Sequence, residues 1–315
     1  MFLFVGRRLA VAVIQLFVTS LVIFGVLYNA PGSPIDLLSG GNRLSVEAKE
    51  ALRQRFHLDE PFLQQYGRWL SGTIRGDFGQ SIAANDSVTA VVGPRIPPTL
   101  QLAAYAFLLV AIVGVTAGIL AAVHRGRIAD TMVSAAVLVG SAMSPYVSGT
   151  LLLATLSVGM GWFPLFGSGV AGLDRIHHLT LPAVALSIPL IALIARTCRA
   201  SLSEVLNREF IEVLRSRGFT ERRIVGVHAL KGALVPVLTV SGLAFGFLIS
   251  GTVFAENVFG VGGLGSLLIQ SVQSKDYAVV QAIVLILVAA FIVLNLAVDV
   301  LCVAVDPRLR SAPKP

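Results

Sequence analysis

The sequence predicts an all-α integral membrane protein with six transmembrane helices, and three observations predict it. The 315 residues are 55% hydrophobic and only 13% charged, where a soluble domain carries about a quarter charged residues; the mean hydropathy is +0.83. The apolar residues gather into six runs near the ~20 residues that a helix needs to cross the hydrocarbon core. The Lys and Arg residues crowd onto one of the two faces that those runs define. One membrane domain, residues 1–315, fits the length.

Leu9–Tyr28 is the first run. It follows Arg7 and Arg8, yet it is too long for the apolar region of a signal peptide and no clean small-x-small cleavage site follows, so it is an uncleaved span. Leu100–Val123 is the second run, Thr131–Gly159 the third, interrupted at Pro145, and Leu181–Ala195 the fourth, with Pro182 at its start and Pro189 inside. Leu234–Phe254 and Val279–Val305 complete the set.

Six spans put both termini on one side. Arg7 and Arg8, Arg125 and Arg127, eight Lys/Arg in 196–231, and Arg308, Arg310 and Lys314 all fall on that face. The short loops of the other face hold only Arg175 and Lys275. Lys and Arg are retained on the cytoplasmic side, so the termini and the 196–231 loop are expected in the cytoplasm of a multi-pass cell-membrane protein. The formal charge of +7 is then a topology signal and not a nucleic-acid-binding one.

The long segment after the first span, residues 29–98, falls outside. Long loops translocate regardless of charge. Within it Ser45–Leu58 has a serine cap and apolar residues at helical spacing. Pro61–Ile74 opens with proline and repeats Phe62, Tyr66, Trp69 and Leu70 along one face. Two short amphipathic helices are expected there, resting on the membrane interface or docking an external partner.

The 201–231 loop reads as helix, glycine turn, helix. Ser201 with Glu204 makes a capping box. Leu202, Leu206, Phe210, Val213 and Leu214 form one apolar stripe, and Glu204 to Arg208 is a favourable i,i+4 pair. Gly218 is expected to end the helix in the left-handed conformation, and Thr220 to cap a second helix carrying Arg222 and Arg223. Read alone, this is a solvated amphipathic helix on the bilayer surface.

The order of residues adds to that reading. "EVL" (Glu212–Leu214), three residues, then Gly218, then a helix ending "HALKGALVP" resembles the loop that marks the permease subunits of ABC importers. "PGSPID" (Pro31–Asp36), "DEPFLQQYGRWLSGTIRGDFGQSI" (Asp59–Ile82), "LPAVALSIPL" (Leu181–Leu190) and the segment Asp276–Arg310 resemble the dipeptide/oligopeptide/nickel importer permeases, in particular the first permease with its large outer insert. The departures are Val213-Leu214 in place of two alanines, Lys231-Gly232 in place of Arg-Asn, and "SPYVSG" (Ser144–Gly149) in the third span.

The resemblance implies a type I ABC importer permease fold and alternating access, driven by two cytoplasmic ATP-binding subunits. The other implied partners are a second homologous permease, an external solute-binding protein and membrane lipid. It also implies that the 201–231 loop docks on an ATPase. Gly218 is then the turn, Glu212 a polar contact, Phe210 and Leu214 anchors, and Arg215, Arg217 and Phe219 secondary contacts. Related systems import peptides, nickel, glutathione and heme-like cargo; di- or oligopeptides are the expected class, nickel or another small solute the alternative.

Other chemistry finds little support. "GVGGLG" (Gly260–Gly265) matches a dinucleotide fingerprint only on paper, because no βαβ unit surrounds it. No G-x-x-x-x-G-K-[ST] loop occurs, so no catalytic site and no bound cofactor are expected in this chain. The His177-His178 pair lacks a further ligand at metal-site spacing. Cys198 and Cys302 are read as packing residues. An ion-coupled carrier is the main rival, but such carriers bury ionisable residues at mid-membrane, and the six runs hold none before Asp299. A non-transporting scaffold is weakened by Pro145 and Pro189, which free carbonyls within spans.

Overall fold

The computed structural model describes residues 2–29 and 60–305. The predicted Ser45–Leu58 helix lies outside the described residues. The helices are α1 (Phe2–Tyr28), α2 (Phe62–Ile74), α3 (Val88–Val92), α4 (Ile96–Leu109), α5 (Val115–Val123), α6 (Ile128–Ala142) and α7 (Pro145–Leu152). They continue with α8 (Gly172–Leu206), α9 (Glu209–Ser216), α10 (Glu221–Arg223), α11 (Leu230–Val258), α12 (Leu264–Gln273) and α13 (Tyr277–Val305). A two-residue hairpin, β1 (Gln80–Ser81) against β2 (Asp86–Ser87), is the one departure from an all-α reading among the described residues.

Five helical stretches are long and apolar enough to cross a membrane: Gly6–Tyr28, Val88–Val123, Gly172–Leu206, Glu221–Val258 and Tyr277–Ala304. The expected third span is not a straight helix. Ile128–Ala142 and Pro145–Gly159 meet at 103°, so six spans are counted only if this bent pair is one of them. Pro145 causes the elbow: Ser144 before it is extended, at φ −74° and ψ 142°, as the residue before a proline prefers. The fourth helix far overruns Leu181–Ala195, beginning nine residues earlier and ending eleven later.

The described chain divides into two compact units. One comprises residues 2–5, 98–262 and 291–305, and α8 is its centre, packing against α5, α6, α7 and α11. Its core is built from Leu102, Ala106, Val110, Leu186, Leu190, Ile194 and Leu248. Small residues set the spacing. A side chain at Gly118 would lie 2.6 Å from Cys198 Cβ and 2.8 Å from the Ala195 carbonyl, and one at Gly114 3.0 Å from Ile194 Cβ. Gly114 and Gly118 are four apart, the small-xxx-small pattern by which membrane helices approach backbone to backbone. Pro189 lacks the N–H that would bond the Ala185 carbonyl four residues back; the Ser148 hydroxyl donates to that carbonyl instead, at 3.1 Å. Cys198 and Cys302 are both buried free thiols.

The second unit comprises residues 6–29, 60–97 and 263–290. Here α2 lies against the C-terminal half of α1 through aromatic rings: Phe24 meets Phe62, Tyr66 and Trp69, each at 5.5 Å between centroids. Tyr66 shares a 2.8 Å hydrogen bond with buried Ser20. The predicted apolar face of 61–74 is therefore the face turned to α1. Asp276, just before α13, accepts from the Ser81 hydroxyl at 2.5 Å and the Ala83 amide at 3.2 Å, holding the hairpin to the helix start. Val88, Val92, Leu264, Leu267, Val279 and Ile283 form the core beneath.

Candidate functional site

The segment after α8 contains every residue expected to meet an ATPase, from Phe210 to Phe219. The helix does not start at Ser201, so the predicted capping box is absent: α8 runs unbroken through that residue because Leu202 and Val205 are buried in a local core. It ends at Leu206, and the extended Arg208 (φ −79°, ψ 145°) turns the chain into the separate helix α9. The predicted pair of Glu204 and Arg208 is present, at 2.9 Å, and spans this break.

Helix α9 carries Glu209 and Glu212 in its first turn and Arg215 in its last, the arrangement that complements the helix dipole. It ends in a two-bond closure. The Gly218 amide donates to the Arg215 carbonyl at 2.9 Å and the Phe219 amide to the Leu214 carbonyl at 3.2 Å, the Schellman pattern. Gly218 stands at φ +81°, a left-handed conformation that a Cβ makes costly. Thr220 follows in extended conformation at the start of α10, but its side chain makes no capping bond. Its backbone carbonyl accepts from the Arg223 and Ile224 amides, both at 2.9 Å.

Charge and aromatic contacts stiffen the turn. Arg215 Nε donates to Glu221 Oε1 at 2.7 Å across Gly218, and this bond raises the arginine further above its ordinary range. The Arg223 guanidinium sits 5.2 Å from the centre of the Phe219 ring. His228 meets the other side of this cluster edge-on, 5.9 Å from Phe219.

The apolar residues then divide between two sides. Ile211 is fully buried with Leu202, Val205, Ile224, Ala229 and Ala233, and Leu214 and Phe219 pack against them. Leu214, expected as an anchor, is therefore partly buried against its own chain. Phe210 (45% exposed) and Val213 (50% exposed) face outward, rimmed by exposed Glu209, Glu212 and Arg217. Sequence reasoning missed Ile211 and Glu221, and it placed Val213 on the apolar stripe without naming it among the contacts. It laid one helical stripe from Ser201 through Leu214, whereas the break at Asn207–Arg208 resets the phase; Asn207 was the available signal.

Elsewhere, chemistry-bearing groups are committed to structure. His177 Nε2 lies 2.9 Å from the Trp162 carbonyl and His178 Nδ1 2.9 Å from that of Asp174. No cluster of three or more potential metal ligands occurs among the described residues. Glu256 is a fully buried carboxylate inside α11 and accepts from the Thr99 hydroxyl at 2.6 Å, two residues beyond the point where hydropathy ended that span.

Comparison with known proteins gives a consistent picture. Residues 114–311 match the family described as binding-protein-dependent transport system inner membrane component, and residues 1–103 match its N-terminal membrane component family. The glutathione transport system permease protein GsiC of Escherichia coli strain K12 is 36% identical over 307 residues, 98% of each chain. GsiC of Shigella flexneri serotype 5b is 35% identical over the same length, again 98% of each chain. Among solved structures, an inward-facing form of the MetNI methionine ABC transporter is similar, with a TM-score of 0.57 at 21% identity, covering 69% of this chain and 97% of that one.

Proposed function

The chain belongs to the binding-protein-dependent transport system inner membrane component family, the permease subunits of ABC importers, and from that premise we propose that it moves di- or oligopeptides inward by alternating access. It is the non-catalytic transmembrane part of an ATP-driven importer, a multi-pass inner-membrane protein served by ATP-binding and solute-binding partners. The peptide class is supported by likeness along almost the whole chain to permeases whose name specifies glutathione, itself a small peptide. On this reading the chain pairs with a second, similar permease above two ATPases. Both termini and the 207–231 segment face the cytoplasm, in keeping with the clustering of Lys and Arg.

One observation carries the reading: α9 presents Phe210 and Val213 outward from a platform that is locked beneath by Ile211 and behind by the Gly218 turn. An apolar knob with a charged rim, on a support that does not give, is the shape that fills a partner's groove and passes on its motion. Phe210 and Val213 are the apolar contacts, Glu212 and Arg217 the orienting charges, and Arg215, Leu214 and Phe219 the support. Residues 29–98 form the surface that meets the solute-binding protein.

A tagged pull-down from native membrane in mild detergent, read by mass spectrometry, tests this. Recovery of two P-loop ATPases and a second permease is expected, with a peptide on any co-purified binding protein; a metal ion or other small solute there replaces the peptide class. Recovery of the chain alone, still transporting when reconstituted, overturns the reading. Gly218→Val abolishes ATP-driven uptake while leaving membrane insertion intact, because a β-branched residue at φ +81° costs on the order of 1–3 kcal/mol. Deleting residues 45–74 abolishes stimulation of ATP hydrolysis by the loaded binding protein.

A further inference from the structure

We propose that the ion pair between Asp130 and Arg199 is a transmission brace, the contact through which movement of α9 reaches α6. The inference rests on the reading of α9 as the ATPase-coupling helix.

The pair is bidentate. Arg199 Nε donates to Asp130 Oδ1 at 2.6 Å and Nη2 to Oδ2 at 2.9 Å. The same carboxylate takes the Gly126 amide at 3.0 Å and the Ser134 hydroxyl at 3.4 Å. Its side chain is only 9% exposed. One carboxylate thereby joins three pieces of chain: the turn after α5, the first turn of α6, and α8 two turns before its end. A two-pronged Arg–carboxylate contact fixes geometry as well as charge, so it holds the two helix ends in one register.

Its position defines that work. Helices α6 and α8 run antiparallel and are pinned at two levels. At one, Gly140 packs on the Ile188 carbonyl, with a side chain at Gly140 coming within 3.4 Å of it. At the other, Asp130 meets Arg199. The two pins are ten residues apart on α6 and eleven on α8, about 15 and 16 Å, so the segments match in length. A surface cleft lined by Val133, Val137, Leu138, Ser141, Ala195 and Arg196 runs beside them and reaches Arg199. The brace therefore adds a directional, charged tie to the packing of α6 on α8, at the level nearest α9.

Beyond Arg199, Leu202 and Val205 receive Ile211 of α9 in one buried cluster. A displacement of α9 moves the end of α8. With Arg199 locked on Asp130, α6 follows as a rigid partner, and its far end is the 103° elbow that leads into α7. Without the lock, the end of α8 bends alone and the elbow stays where it is. Asp130 and Arg199 are positioning residues on this account: they meet neither nucleotide nor cargo.

The experiment uses the complete complex from the pull-down, in vesicles, with ATP hydrolysis and uptake of a radiolabelled tripeptide read from the same sample. Asp130→Asn, Arg199→Gln and the double variant are compared per assembled complex. Each single variant is expected to hydrolyse ATP but to take up about five-fold or more less peptide per ATP, and the double variant to lose no more than either single one. Arg199→Lys keeps the charge without the two-pronged geometry, and an intermediate ratio is expected; it also serves if a neutral variant fails to assemble. A wild-type ratio in the assembled variants, even at reduced yield, overturns the brace, because a merely structural pair changes the amount of complex and not the ratio. Losses that add in the double variant overturn it too. A wild-type complex that takes up no tripeptide overturns the peptide-import reading, an outcome distinct from variants that match a working wild type, and the same ratio is then read with the solute carried by the co-purified binding protein.

Discussion

Helices α1 and α8 are both long enough to span a bilayer, yet the more hydrophobic of the two is the less buried. The apolar window of α1 has a mean hydropathy of 2.5 and is 11% buried within the chain; that of α8 has 2.0 and is 61% buried. In water the order would be reversed. In lipid, apolar side chains gain nothing by leaving the solvent, so hydropathy reports that a helix lies in the membrane and says little about what it touches. Small residues instead let α8 approach its neighbours closely enough to bury Leu186, Leu190 and Ile194 beside them. The buried face of α8 holds Ala183, Ala185, Ser187, Ala192, Ala195 and Cys198, whereas α1 turns Val13, Ile14, Phe17, Val22 and Val26 outward, a surface for lipid or a second chain.

The comparison breaks first at Gly118. Gly118→Leu drives a side chain into the Cys198 Cβ and the Ala195 backbone, and backbone cannot yield as a flexible side chain does. A cost at or above the upper end of the usual overpacking range, about 3 kcal/mol, is expected, seen as loss of monodisperse protein in detergent. A variant with unchanged yield and melting temperature would mean that α5 and α8 do not meet at backbone contact. Ser187→Ala is a milder probe of the same face. It removes a fully buried hydroxyl that donates to the Ala106 carbonyl at 3.1 Å and the Ala183 carbonyl at 2.6 Å, and about 1 kcal/mol is expected from the melting midpoint.

On the other side, Tyr66→Phe deletes the hydrogen bond to Ser20, which ties a buried hydroxyl of α1 to α2. About 0.6 kcal/mol is expected, because the ring contacts with Phe24 and Phe62 survive. Ile14→Ala, at a position 60% exposed, is expected within about ±0.5 kcal/mol for the isolated chain. A much larger loss confined to the assembled complex would show that this face of α1 is a subunit interface and not a lipid surface.

The same physics explains how far the sequence could be read. Hydropathy placed the spans because it measures what the bilayer solvates. The interruption at Pro145 was visible but its size was not, since both arms are apolar and only backbone geometry separates a kink from a 103° turn. Gly218 was legible because its constraint is local: a left-handed residue must end the helix wherever the rest of the chain lies. Ile211 was not, because its burial depends on Ile224 and Ala229 returning from beyond the turn. Arg199 and Asp130 are 69 residues apart, and nothing in either neighbourhood names the other. Glu256 was overlooked because the apolar window closed at Phe254, although its carboxylate is fully enclosed.

The burial of Cys198 and Cys302 has a practical side. Both native thiols sit within packed protein, so reagents added to the folded chain find neither. A single cysteine introduced at Phe210 or Val213 becomes the accessible handle, and a fluorophore or spin label there reports on the outward face of α9 without the native pair first being removed.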